Sequence, residues 1–129
     1  MSPNLEKVAR HEAAHAVAAV RMGALVYFCA LRDGDRAHTR VEEVMGAWRG
    51  GRVVYDPELI GRRVLGALAP LAAGDSPARC RRDLAMARSL LALVGESDLA
   101  PHLARARAWA AEPENAAAIE ADRQAALKE

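Results

Sequence analysis

Aromatic side chains are scarce in this chain: one Phe, two Tyr and two Trp make up 4% of its 129 residues. With 52% hydrophobic residues, the core must therefore be filled by Ala, Leu and Val, a composition that leans helical. Cysteine is nearly absent as well. Cys29 and Cys80 stand alone, without CxxC or any repeating spacing, which excludes a disulfide framework and points to reduced thiols in a cytoplasmic protein. Net charge is lacking too, since 18 basic residues almost cancel 17 acidic ones. That balance gives no electrostatic case for nucleic acid or an anionic membrane as partner. The local cluster Arg79, Arg81 and Arg82 reads as a solvated helix entrance. The longest apolar run near the start, Ala16 to Val20, falls far short of the roughly 20 residues that span a bilayer. No secretory leader is expected, because His11, Glu12 and His15 occupy the place of its apolar stretch. A phosphate-binding GxxxxGK(S/T) loop is also missing, which excludes a nucleotide-driven motor in this chain.

What is present reads as one domain over residues 1–129, long enough to bury a core without disulfides. The pattern predicts a mainly helical fold with a small β element. A first helix starts near Ser2-Pro3, with Ser2 as cap, and ends at Gly23. Leu25 to Leu31 is rich in strand formers and stops at the turn signal Arg32-Asp33-Gly34-Asp35. His38 to Val41 is a returning strand that makes a short hairpin. Met45 to Arg52, with Gly46, Gly50 and Gly51, reads as loop, followed by a short extended piece Val53 to Tyr55. Asp56-Pro57 starts a second long helix, which Pro70 is expected to kink or divide and Gly74 to end. Gly66, Ala67 and Ala69 leave it one face small enough for close approach by another helix. Further helices are expected from about Ala78 to Val94, Leu99 to Ala111 and Glu114 to Leu127, the last two as an antiparallel hairpin.

The chemistry concentrates in His11-Glu12-Ala13-Ala14-His15, an HExxH motif inside a helical pattern. Residues four apart share a helix face, so both imidazoles can converge on one metal ion. Zinc accepts imidazole nitrogen at about 2.0–2.1 Å and keeps one position open in catalytic sites. Glu12, beside His11, is placed to take a proton from the zinc-bound water as that water attacks a carbonyl carbon. Chance produces this motif in roughly a few chains per thousand of this length, so two surface histidines and a glutamate are the weaker explanation. Two histidines do not complete the site. The extension that would add a third histidine on the same helix is absent, since Ala18 and Arg21 stand where glycine and histidine are wanted. Asp75, Asp83, Glu96, Asp98 and His102 are the candidates. Asp83 is favoured by its place in the first turns of a helix whose apolar stripe must face the core, Asp75 could equally be a cap, and His102 fits a capping or surface role.

Arg10-His11-Glu12-Ala13-Ala14-His15-Ala16-Val17 resembles the HEAGHA segment in the peptidase domain of FtsH-type, membrane-anchored AAA+ zinc proteases. Other segments follow in that family's order. Leu25 to Thr39 is similar to its edge strand and turn, and Leu65 to Gly74 to its small-residue helix. Arg82 to Arg88 is similar to the segment whose aspartate is the third zinc ligand, and Ala108 to Leu127 to its closing helices. The resemblance implies His11, His15 and Asp83 as ligands of Zn2+, Glu12 as catalytic base, and a helical peptidase fold in which an extended peptide adds to an edge strand within Val26 to Leu31. The sequence departs from the family at Ala14, where glycine is usual, at Arg82, where asparagine is usual, and throughout Asp33 to Tyr55.

The expected function is a zinc-dependent endopeptidase acting on unstructured polypeptide, alone, with a separate ATPase or as a homo-oligomer. A catalytically silent zinc-binding module for regulation or protein interaction is the alternative. Trp48 and Trp109 are expected to pack rather than stack on substrate. His38 is read as a strand surface residue and Cys80 as a buried thiol.

Overall fold

The computed structural model describes residues 3–23, 25–31, 37–42 and 45–128. The Ser2 cap and the Arg32 to Asp35 turn lie outside the described residues, as do the side chains of Cys29, His38 and Trp48. Among the described residues there are five helices and two antiparallel hairpins. No helix among them is long and apolar enough to cross a membrane.

Helix α1 (Pro3–Arg21) begins on a proline whose missing N–H is no loss in a first turn. Glu6 near its start and Arg21 at its end suit the helix dipole, and Gly23, with φ of 85°, turns the chain away. Two hairpins follow. Strand β1 (Leu25–Leu31) pairs antiparallel with β2 (Ala37–Glu42), setting Cys29 opposite Thr39 and Ala30 opposite His38, with a bulge between Val26 and Phe28. This hairpin lies on α1. The second, β3 (Gly46–Arg49) with β4 (Arg52–Tyr55), occupies the stretch expected as loop. The glycines have a different meaning from the one their number suggests. Gly50 and Gly51 take φ of 60° and 80°, the two left-handed residues of a tight hairpin turn. Gly46 lies where an added Cβ would run into the Val54 carbonyl oxygen.

Helix α2 (Pro57–Ala72) is capped by Asp56, whose carboxylate accepts from the amides of Glu58 and Leu59. It continues through Pro70 as one helix rather than dividing there, since a proline in the last turn removes only one internal bond. Gly74, at φ of 104°, follows its end. Helix α3 (Arg81–Ala92) starts three residues later than the sequence suggests. The intervening turn is held separately, with the amides of Arg79 and Cys80 on the Ser76 carbonyl. Helices α4 (Ala100–Ala111) and α5 (Pro113–Leu127) follow. Their expected side-by-side pairing is not the main contact: α4 lies chiefly along α2 and α5 along α1. Buried Asn115 ties their joint, donating to the Trp109 carbonyl at 2.9 Å.

The interior has two parts that meet at α2. On one side Ile60, Val64 and Leu68 pack with Ala87, Leu90, Leu91 and Ala106. Each fully buried Ile, Val or Leu contributes about 1.5–3 kcal/mol. On the other, Ala69 meets Ala13, Ala14 and Ala18 of α1 together with Trp109 and Ile119. The close approach therefore runs through Ala69; an added Cβ at Gly66 would meet open space. Four alanines, all buried, bring α1 against α2, and that distance sets where the α1 histidines reach. Ala69→Leu should overpack this contact and lower stability by about 1–3 kcal/mol in urea unfolding.

Candidate metal centre

His11 and His15 project from one face of α1, with ring centroids 4.9 Å apart and planes 73° to each other. Each ring is held from outside. The Nδ1 of His11 lies 2.6 Å from Asp75 Oδ2, and that of His15 lies 2.9 Å from the Gly66 carbonyl oxygen. A carbonyl only accepts, and so does an ionised carboxylate, so both Nδ1 atoms carry hydrogen. In the neutral rings both Nε2 atoms then present lone pairs.

Those lone pairs face Asp83, in the first turn of α3. His11 Nε2 is 2.9 Å from Asp83 Oδ2 and His15 Nε2 is 3.2 Å from Oδ1. The buried Oδ2 has no hydrogen-bond partner: its contact with His11 has the distance of such a bond but not the direction. Acceptor atoms gathered this closely repel unless a cation lies among them. Either protons or a metal can serve. Two nitrogens and one oxygen suit zinc, whose tetrahedral bonds of about 2.0–2.2 Å put neighbouring ligand atoms roughly 3.3 Å apart. The two contacts reach different oxygens of one carboxylate, His11 at Oδ2 and His15 at Oδ1, so Asp83 stands between both imidazoles.

Electrostatics describe the metal-free state. Burial opposes charge on both partners. The imidazoles of His11 and His15 nevertheless hold the Asp83 carboxyl well below its usual range, and Asp83 and Asp75 raise His11 above its ordinary 6.5. Glu12, buried beside His11 on α1, adds its negative charge to that effect. No known family profile matches the chain, and no curated protein or solved structure is significantly similar to it.

Of the five candidates for a third ligand, Asp83 is the one brought to both histidines. Asp75 sits behind His11 and also caps the Ser76 amide at 2.8 Å. Glu96 and Asp98 are elsewhere, the former bonded to His102 at 2.8 Å and the latter capping Ala100 at 3.0 Å. His102 is neither a surface residue nor a cap. It is buried, with Nδ1 2.7 Å from Arg105 and Nε2 facing Glu96. Cys80 is a buried thiol, as expected, but closer to the centre than its sequence position suggests. Its sulfur and one donor atom each from His11 and Asp83 lie within 4.8 Å of one another. In the metal-free chain burial, then the charges of Asp75 and Asp83, push that thiol up to about 12.

Pro70 follows Gly66 by four residues, so it has no N–H to give the Gly66 carbonyl. That carbonyl is the one that His15 uses. The proline thus frees an acceptor in the side of a helix, and the acceptor fixes the His15 tautomer. Restoring the amide with Pro70→Ala should weaken zinc binding about 10–100-fold, as should Asp75→Ala, while Cys80→Ser leaves zinc bound; competition with a fluorescent chelator measures all three.

The pH dependence should reverse with the metal. In the metal-free chain the raised His11 contributes stability below pH 6.5 that is lost as pH rises through its folded value. The lowered Asp83 contributes above 3.8, lost as pH falls through its folded value. Metal-free melting temperature should therefore fall from about pH 6 to pH 8, whereas the zinc-loaded chain gains over the same range because zinc competes with protons. Thermal melts with and without a chelator read this directly.

Proposed function

We propose that this chain is a zinc-dependent endopeptidase of the FtsH-peptidase type that cuts unstructured polypeptide. The observation that carries the reading is the approach of His11 Nε2 and His15 Nε2 to the two oxygens of Asp83, with both outer nitrogens already engaged. Zinc held by these residues would act as a Lewis acid on a carbonyl and make water acidic near pH 7. The chain's own residues do the rest. Asp75 and the Gly66 carbonyl keep the imidazoles turned inward, and Asp83 neutralises part of the charge. Glu12 follows His11 in α1 and is buried to 8% exposure. A carboxylate in such surroundings can accept a proton from water and return it to the leaving amine.

Substrate would arrive as an extended strand. Among the described residues β1 pairs only with β2, so its other edge offers backbone groups to a peptide. Such pairing places little demand on side chains, as a protease of unfolded segments requires. A separate ATPase would supply unfolding for structured substrates.

The second reading, a silent zinc-binding module, draws on the near-complete burial of Glu12. Glu12→Gln separates the two. The peptidase reading expects zinc bound in parent and variant alike, with cleavage of a flexible casein-type substrate reduced about 10²–10⁴-fold in the variant. Zinc in both with no cleavage by the parent supports the silent module, and loss of zinc from the parent rejects both. Asp83→Asn should release zinc from either.

A further inference from the structure

A cleft of about 160 Å³ shares its wall with the metal centre. His15 and Asp83 line it with Ala19, Ala67 and Met86. Two arginines also line it, Arg63 from α2 and Arg82 from α3. Four arginines of the chain are paired, Arg62 with Glu58, Arg10 and Arg123 with Glu120, and Arg79 with Asp75. Among the described residues, no ion pair engages Arg63 or Arg82. The cleft's one acidic lining residue is Asp83, whose oxygens already face the two imidazoles. A metal there would take up that charge and leave the cleft with two uncompensated guanidinium groups.

Guanidinium binds carboxylate through paired, charge-assisted hydrogen bonds, and a partly enclosed cleft strengthens them relative to open water. An apolar side chain entering between two cations would strip their water and return nothing. We propose that this cleft selects a carboxylate on the substrate residue next to the bond being cut, so the enzyme prefers peptides carrying an acidic group at that position. The group can be a Glu or Asp side chain or the α-carboxylate of a chain end. This assignment rests on the peptidase reading above and specifies which substrates it takes. The other cavity that His11 lines differs in holding a carboxylate of its own: Asp75 stands there with Lys7, Arg10 and Arg79, and both arginines are already paired.

Three zinc-chelating hydroxamates test the assignment by calorimetry on the zinc-loaded full chain. One carries a glutamyl arm with an amidated end, one a leucyl arm with an amidated end, and one a leucyl arm with a free carboxylate. The glutamyl or the free-acid probe should bind about tenfold tighter than the amidated leucyl probe, about 1.4 kcal/mol, and which of the two does so identifies the source of the carboxylate. The advantage should shrink with added salt. It should fall below threefold in the Arg63→Gln/Arg82→Gln double variant, with folding checked by circular dichroism, and persist in Arg62→Gln, outside the cleft. Equal binding of all three probes, or a preference that survives the double substitution, overturns the cleft assignment while leaving the zinc peptidase standing. No binding of any probe to a chain that holds zinc overturns the open coordination position and the cleft assignment with it.

Discussion

Two imidazole nitrogens meet one carboxylate at 2.9 and 3.2 Å, and the hydrogens that could ease the meeting are committed elsewhere. This is the constraint around which the centre is arranged. Repulsion among acceptors can be relieved by protons, which explains the raised His11 and the lowered Asp83, or by a metal, which replaces those protons. A metal bound here would compete with those protons for one arrangement. The residues behind the site matter because they exclude a third solution, a ring that rotates its N–H inward.

Three helices must be in register for that meeting. α1 carries both histidines, α2 carries the carbonyl behind His15, and α3 carries Asp83. The buried alanines between α1 and α2 have no side-chain torsions to adjust, so helix spacing is set by backbone and methyl contact. On the opposite side of α2 the larger residues Ile60, Val64 and Leu68 hold α3 and α4. Small residues near the chemistry and large ones away from it give both a close approach and a core. Small residues, Ala19, Gly66 and Ala67, also line the neighbouring cleft.

Proline and glycine illustrate how local rules were followed and still misled. Both Gly50-Gly51 and Pro70 obey their conformational preferences. A glycine-rich stretch suggests loop, yet left-handed φ at two successive residues makes the tight turn that joins β3 and β4. A proline suggests a broken helix, yet late in α2 it interrupts one bond and leaves the helix whole. Its consequence appears four residues earlier, in a freed carbonyl, and has value only because His15 arrives beside it from another helix.

Much of this molecule was legible in local chemistry. The HExxH spacing puts two imidazoles on one helix face whatever surrounds them, because helical geometry alone dictates it. Asp56-Pro57, Gly23 and Gly74 mark helix ends through capping and backbone freedom, and the strand formers of Leu25 to Leu31 do make a hairpin. Choosing among Asp75, Asp83, Glu96, Asp98 and His102 was another kind of question. All have suitable atoms, and their separation along the chain says nothing about their separation in space. Only the packing of α3 against α2, and of α2 against α1, brings Asp83 inward and sets Asp75 behind His11, whereas His102 finds Glu96 six residues away. Side-chain chemistry and helix period are properties of neighbours in sequence, whereas a site built from three helices depends on contacts across 51 residues or more, which only the folded core can specify.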